Sequence, residues 1–95
     1  MIKVVAKNFV KKDKVEEVLK LAKELVEETV KENGCISYEM YQDIKENNIL
    51  TMIETWDNQE ALSMHLKSEH FQRIIPIMST CMEKTAEMNM YNKIL

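Results

Sequence analysis

The first residues alternate. Ile2, Val4, Ala6 and Asn8 fall on one side, and Lys3, Val5, Lys7 and Phe9 on the other, which is the two-residue period of a strand over 2–9. From residue 15 the period lengthens. Val15, Val18, Leu19, Ala22, Leu25, Val26 and Val30 follow the three-and-four spacing of an amphipathic helix, with Asp13 placed to cap it and Gly34 to end it. Glu16–Lys20 and Glu27–Lys31 are four apart, which marks the opposite face as solvated. Residues 35–43, CISYEMYQD, and 49–56, ILTMIETW, predict two further strands joined by the polar loop 44–48. Asp57 with Glu60 suits a capping box for a short helix, NQEALSMHLK. Ser68 suits the cap of a further helical segment, EHFQRIIPIMSTC, in which Pro76 should kink the axis. A last strand is predicted over about 82–91.

The order β-α-β-β-α-β is the split βαβ plan of a ferredoxin-like α+β fold with an antiparallel sheet, as one domain over residues 1–95. Its helices cover one sheet face. The other face carries Val5 and Phe9 toward water, and the last strand sets Met82, Met88 and Met90 on one side, so a homodimer is expected.

Composition narrows the function. With 13 basic against 16 acidic residues, net charge −3, and a single Arg, no basic face appears and nucleic-acid binding is not expected. No apolar run approaches the roughly 20 residues that cross a bilayer, and MIKVVAKNFVKK carries charges inside its short apolar run, so neither a membrane span nor a signal peptide is expected. Cys35 and Cys81 form no framework and no CxxC pair, which points to free thiols and a cytoplasmic protein.

Candidate chemistry concentrates in ETWDNQEALSMHLKSEHF, residues 54–71, which holds the only Trp and both His residues. On one continuous helix His65 and His70 diverge by about 140°, so shared metal ligation is not expected. If Ser68 breaks the helix, His65 lies near a C-terminus that favours imidazolium, and His70 lies in a first turn that favours the neutral ring. His70 is then the candidate general base and His65 a charged partner for an anion; the alternative for both is packing of the helix junction. Asn8 either hydrogen-bonds a substrate oxygen or binds local backbone. Trp56 either contacts substrate or anchors packing, with its N–H satisfied locally. Eight methionines, among them Met40, Met52, Met64 and Met78 in elements expected to face the core, suit either an adaptable pocket or core filling.

The segments IKVVAKNFVKKDKVEEVLKLAKELVEET, GCISYE (34–39) and ETWDNQEALSMHLKSEHF together resemble the antibiotic biosynthesis monooxygenase (ABM) domain family, in particular its small quinol monooxygenases, over residues 2 to 91. The resemblance implies a dimeric α/β barrel and oxidation of a quinol or polyphenolic aromatic by O2, with no metal, flavin or other cofactor. It also places an asparagine at the position of Asn8 among the pocket residues. On this reading His70, His65 and Asn8 are the catalytic candidates, and Trp56, Phe71, Met52 and Met64 line the substrate pocket. In the haem-cleaving branch the expected Trp falls on His65 and the haem ligand on Ile75, so haem is not expected. Another branch isomerises or degrades small phosphorylated carbonyl signals by proton transfer, and a non-catalytic ligand-binding module would use the same pocket.

Overall fold

A computed structural model describes residues 1–95. Strand β1 (Ile2–Val10) leads through a short 3-10 turn (Lys12–Lys14) into helix α1 (Val15–Thr29). Then come β2 (Cys35–Gln42), β3 (Ile49–Trp56), α2 (Gln59–Leu66), α3 (Glu69–Ser79) and β4 (Met82–Asn92). The strands form one antiparallel sheet in the order β2-β3-β1-β4. This is the ferredoxin-like α+β arrangement that the alternation of periods predicts.

Register decides what faces what. Glu54 on β3 sits between Val4 on β1 and Tyr38 on β2, and Ala6 sits between Met52 and Met88. Val4, Val10, Tyr38, Leu50, Met52, Glu54 and Trp56 are all buried on this one face. Val18, Ala22 and Leu25 of α1 and Ile74 and Met78 of α3 belong to the same core. Truncating a residue such as Leu25 to Ala should cost about 2–5 kcal/mol, the range for core cavities. On the other face lie Val5, Phe9 and Ile53, only half-buried, together with the more exposed Tyr41 and Tyr91. Lys7 and Lys84 hold their ammonium groups over the Phe9 ring there, at 5.6 and 4.2 Å.

Several local expectations are corrected. Asp13 falls in the 3-10 turn, and Lys14 precedes α1 without a side-chain cap. The cap of α2 is Asn58, not Asp57: its side chain accepts from the Ala61 N–H at 2.8 Å. Ser68 does cap α3, accepting from the Phe71 N–H at 3.3 Å, and α3 runs through Pro76 to Ser79. Helix α1 stops at Thr29, so Gly34 closes the following turn instead of the helix. Its φ of +86° and a contact of 2.5 Å between an added Cβ and Ala61 Cβ both require glycine there. Met82, Met88 and Met90 do share a side, but that side pairs with Val10, Ala6 and Val4 and faces the helices, not the uncovered face.

Candidate functional site

Between the helix-facing side of the sheet and helices α2 and α3 lies a cavity of about 730 Å3. Val4, Ala6, Asn8, Tyr38, Met52 and Glu54 form its floor, and Leu62, His65, Leu66, Phe71, Ile75 and Met78 its helical wall. β4 closes the third side, where Met88 and Met90 stay exposed at the rim. The size suits a small organic molecule, and the lining is mostly apolar with a few polar groups.

The helical wall is organised at a corner where the α1–β2 turn meets α2 and α3. Helix α2 is only eight residues long, and its buried side chains are Leu62 and His65, one turn apart. His65 is 1% exposed and packed among Trp56 (ring centroids 4.8 Å apart), Phe71 (5.0 Å) and Tyr38 (5.2 Å). Its Nδ1 meets Oε2 of Glu32 at 2.8 Å. His70, from the first turn of α3, brings its Nε2 to the same oxygen at 2.6 Å. A carboxylate oxygen only accepts, so both of these ring nitrogens carry hydrogen. His65 is therefore left with Nε2 unprotonated in its neutral form, and that nitrogen makes no hydrogen bond within the chain. His65 lines the cavity.

Burial pushes the His65 pKa below its ordinary value of 6.5; the Glu32 hydrogen bond and charge pull upward but do not prevail. The expected charged His65 is thus corrected to a neutral ring, because dehydration outweighs the end of so short a helix.

Glu54 supplies the second titratable group. It is 6% exposed, and its Oε1 accepts from the Trp56 indole N–H at 3.0 Å. Burial raises its pKa from 4.5 to about 7, against the lowering effect of that hydrogen bond. Tyr38 beside it is held neutral, its pKa raised chiefly by burial. Asn8 takes the backbone role its position allowed. Its Nδ2 donates to the carbonyls of Leu50 (3.1 Å) and Ala6 (3.3 Å), while the residue lines the cavity and keeps its amide oxygen unpaired.

Of the residues singled out from the sequence, Asn8, His65, Phe71, Met52 and Met78 meet at this cavity. The others stand elsewhere. Trp56 lies wholly in the core behind Glu54 and His65. Met64 is 62% exposed on the outer side of α2, about 100° around the helix from His65. His70 lies behind His65, against Glu32, and does not line the cavity. Sequence reasoning missed Glu32, Glu54 and Tyr38 as site residues. For Glu54 a signal was present: a carboxylate at an inward position of a strand whose neighbours are Leu50, Met52 and Trp56. Glu32, in a turn, gave none. The two histidines do converge with a carboxylate, because the break at Ser68 removes the 140° divergence of a continuous helix.

A four-stranded antiparallel sheet with helices on one face, enclosing a mostly apolar cavity, belongs to the class of ferredoxin-like α+β domains. The particular family follows from likeness. The profile described as Antibiotic biosynthesis monooxygenase matches residues 1–76. A conserved protein from Methanosarcina mazei Go1, solved by crystallography, is 48% identical, covering 98% of this chain and 92% of that one with a TM-score of 0.96. The crystal structure of an antibiotic biosynthesis monooxygenase is 32% identical, covering 100% of both chains, again with a TM-score of 0.96. An uncharacterised protein of Synechocystis sp. is 37% identical over 89 residues, 93% of this chain; the chain spans 60% of that relative's length. The chain belongs to the antibiotic biosynthesis monooxygenase family.

Proposed function

We propose that the protein is a cofactor-independent monooxygenase that oxidises a quinol or polyphenolic aromatic with O2. The observation that carries the reading is a set of acceptors among the polar groups of the cavity: His65 Nε2, the Asn8 amide oxygen and the Glu54 carboxyl can each accept a hydrogen bond from a hydroxyl. A ligand rich in O–H donors on a flat apolar ring satisfies them. A phosphorylated carbonyl compound does not, since the one lysine of the lining, Lys84, holds its ammonium over Phe9 on the other sheet face.

In this mechanism His65 Nε2 takes a phenolic proton, with Glu32 fixing the tautomer and His70 holding Glu32 from behind. The base role thus moves from His70 to His65, the histidine that reaches the cavity. The quinol anion passes one electron to O2. The resulting semiquinone and superoxide combine through a C–O bond, and protonated Glu54 and the imidazolium return protons to the peroxide. Loss of the ring proton from that carbon to the Glu54 carboxylate restores its carboxyl, breaks the O–O bond and expels water. Hydroquinone and O2 become hydroxyquinone and H2O, with all atoms and electrons accounted for. Apolar walls keep bulk water from the radical pair.

The uncovered sheet face, with Val5, Phe9, Ile53, Tyr41 and Tyr91, supports packing against a second copy. Light scattering should then give twice the chain mass of 11.2 kDa, and the single-chain mass overturns the dimer. For the reaction, oxygen uptake with a panel of hydroquinones is decisive. One O2 consumed per quinol without H2O2 is expected. Saturable binding without turnover assigns the cavity to a binding module instead.

A further inference from the structure

The corner behind the cavity is more convergent than the orientation of one base requires. A carboxylate that serves two donors is best satisfied by offering each its own oxygen. Here both imidazoles meet Oε2 of Glu32, at 2.8 and 2.6 Å, and Oε1 makes no hydrogen bond within the chain. One oxygen and two ring nitrogens therefore surround a common point, all within 4.8 Å of one another. They come from three segments, two of them helices fixed by side-chain caps at Asn58 and Ser68. All three side chains are largely buried, at 2%, 14% and 15% exposure for His65, His70 and Glu32.

We propose that Oε2 of Glu32, Nδ1 of His65 and Nε2 of His70 bind a divalent transition-metal ion of the zinc type, with water in the fourth position. Two imidazoles and one carboxylate form a ligand set of zinc chemistry, whereas Mg2+ and Ca2+ require oxygen cages that this corner lacks. Metal–ligand distances of about 2.0–2.2 Å put tetrahedral ligand atoms roughly 3.4 Å apart. Each N–O pair then opens by less than about 1 Å while the two nitrogens draw together, a motion within reach of a glutamate on a turn. Glu24 and Glu69 also interact with His70, and Arg73 pairs with both of them.

Occupancy carries a consequence for the cavity, and this part rests on the proposed base role of His65. A neutral imidazole has one hydrogen. Without metal it sits on Nδ1, facing Glu32, and Nε2 is the free base. With metal on Nδ1 the hydrogen moves to Nε2, and the cavity-facing nitrogen becomes a donor. The ion is thus an inhibitor of proton abstraction and not a cofactor.

The test is titration of chelator-treated protein with Zn2+ and with Co2+. Calorimetry should give one ion per chain, Co2+ should develop the intense visible absorption of tetrahedral coordination, and 15N NMR should show the His65 hydrogen moving from Nδ1 to Nε2. His70→Asn and Glu32→Gln should each weaken binding by more than the 10–100-fold typical of an outer-shell partner. Cys35→Ser should leave it unchanged. Melting of each metal-free variant confirms that it is folded before it is titrated. Absence of stoichiometric binding, binding retained in His70→Asn and Glu32→Gln, or binding lost in Cys35→Ser each overturns the site. These readouts need no turnover, so they stand apart from failure of the quinol reaction. Inhibition by Zn2+ that His70→Asn relieves supports the switch of His65; full activity at saturating Zn2+ removes the switch and leaves the site.

Discussion

Glu32 and Glu54 are both carboxylates drawn in from solvent, yet the two regions they anchor treat a buried charge in opposite ways. At the corner Glu32 faces two imidazole N–H groups, and the pair clamps α2 to α3 through the turn before β2. On the wall Glu54 receives one indole N–H amid hydrocarbon, and its proton returns near pH 7. Glu54 is buried with a single donor, whereas Glu32 is half-buried with two. One region is built to hold a ring in a single tautomer; the other is built to titrate.

The largest expected effect separates the two histidines. In chelator-treated protein His65→Asn should lower quinol turnover by about 10²–10⁴-fold, the scale of losing a general base. His70→Asn should cost about 10-fold, the lower end for an outer partner. Equal losses, read by oxygen uptake, break the assignment of Nε2 of His65 as the base.

Next comes the wall. Glu54 binds its proton more tightly folded, at about 7, than in its ordinary range near 4.5. Its contribution is therefore intact below pH 4.5 and is lost as pH rises through 7. At about 1.4 kcal/mol per pKa unit, Glu54→Gln should be more stable than the parent by roughly 3 kcal/mol at pH 8.5. Urea melts at pH 4 and 8.5 check this; an equal difference at both values rejects titration as the cause. The same variant should lose the alkaline limb of the activity profile near pH 7, while the acid limb, set by His65 below pH 6.5, remains.

Smaller effects probe how the corner is built. Gly34→Ala combines a left-handed backbone with the Ala61 contact and should cost about 2 kcal/mol. It should disturb His65 and His70 resonances more than those of Glu54, and an even response denies the turn its separate role. Asn58→Ala removes the α2 cap and should cost about 1 kcal/mol in thermal melts.

Much of the fold was legible because it is written in local periods. Strand β3 runs over 49–56 as its apolar alternation predicts, and the break at Ser68 follows from its cap chemistry. The cap at Asp57 was misplaced because Asn58 beside it offers a similar acceptor, and the cap at Asp13 because a 3-10 turn separates it from α1. The site was half legible. Asn8 and Met52 on the floor meet His65 and Phe71 on the helical wall because strand parity and the helix turn put them there. Met64 was misread because the residue before His65 points a quarter-turn away. Glu32 was invisible: it stands 33 and 38 residues before the rings it joins, and no local pattern encodes a contact of that span.

The contact between Trp56 and Glu54 gives the molecule an optical reporter. The sole indole lies at 3.0 Å from a carboxyl that gains and loses its proton near pH 7, and 4.8 Å from the ring of His65. Its emission therefore shifts as that proton comes and goes, and dims when a coloured quinone settles in the adjoining cavity and accepts the excitation energy. A single unlabelled sample thus displays the ionisation of the wall and the arrival of product in one spectrum.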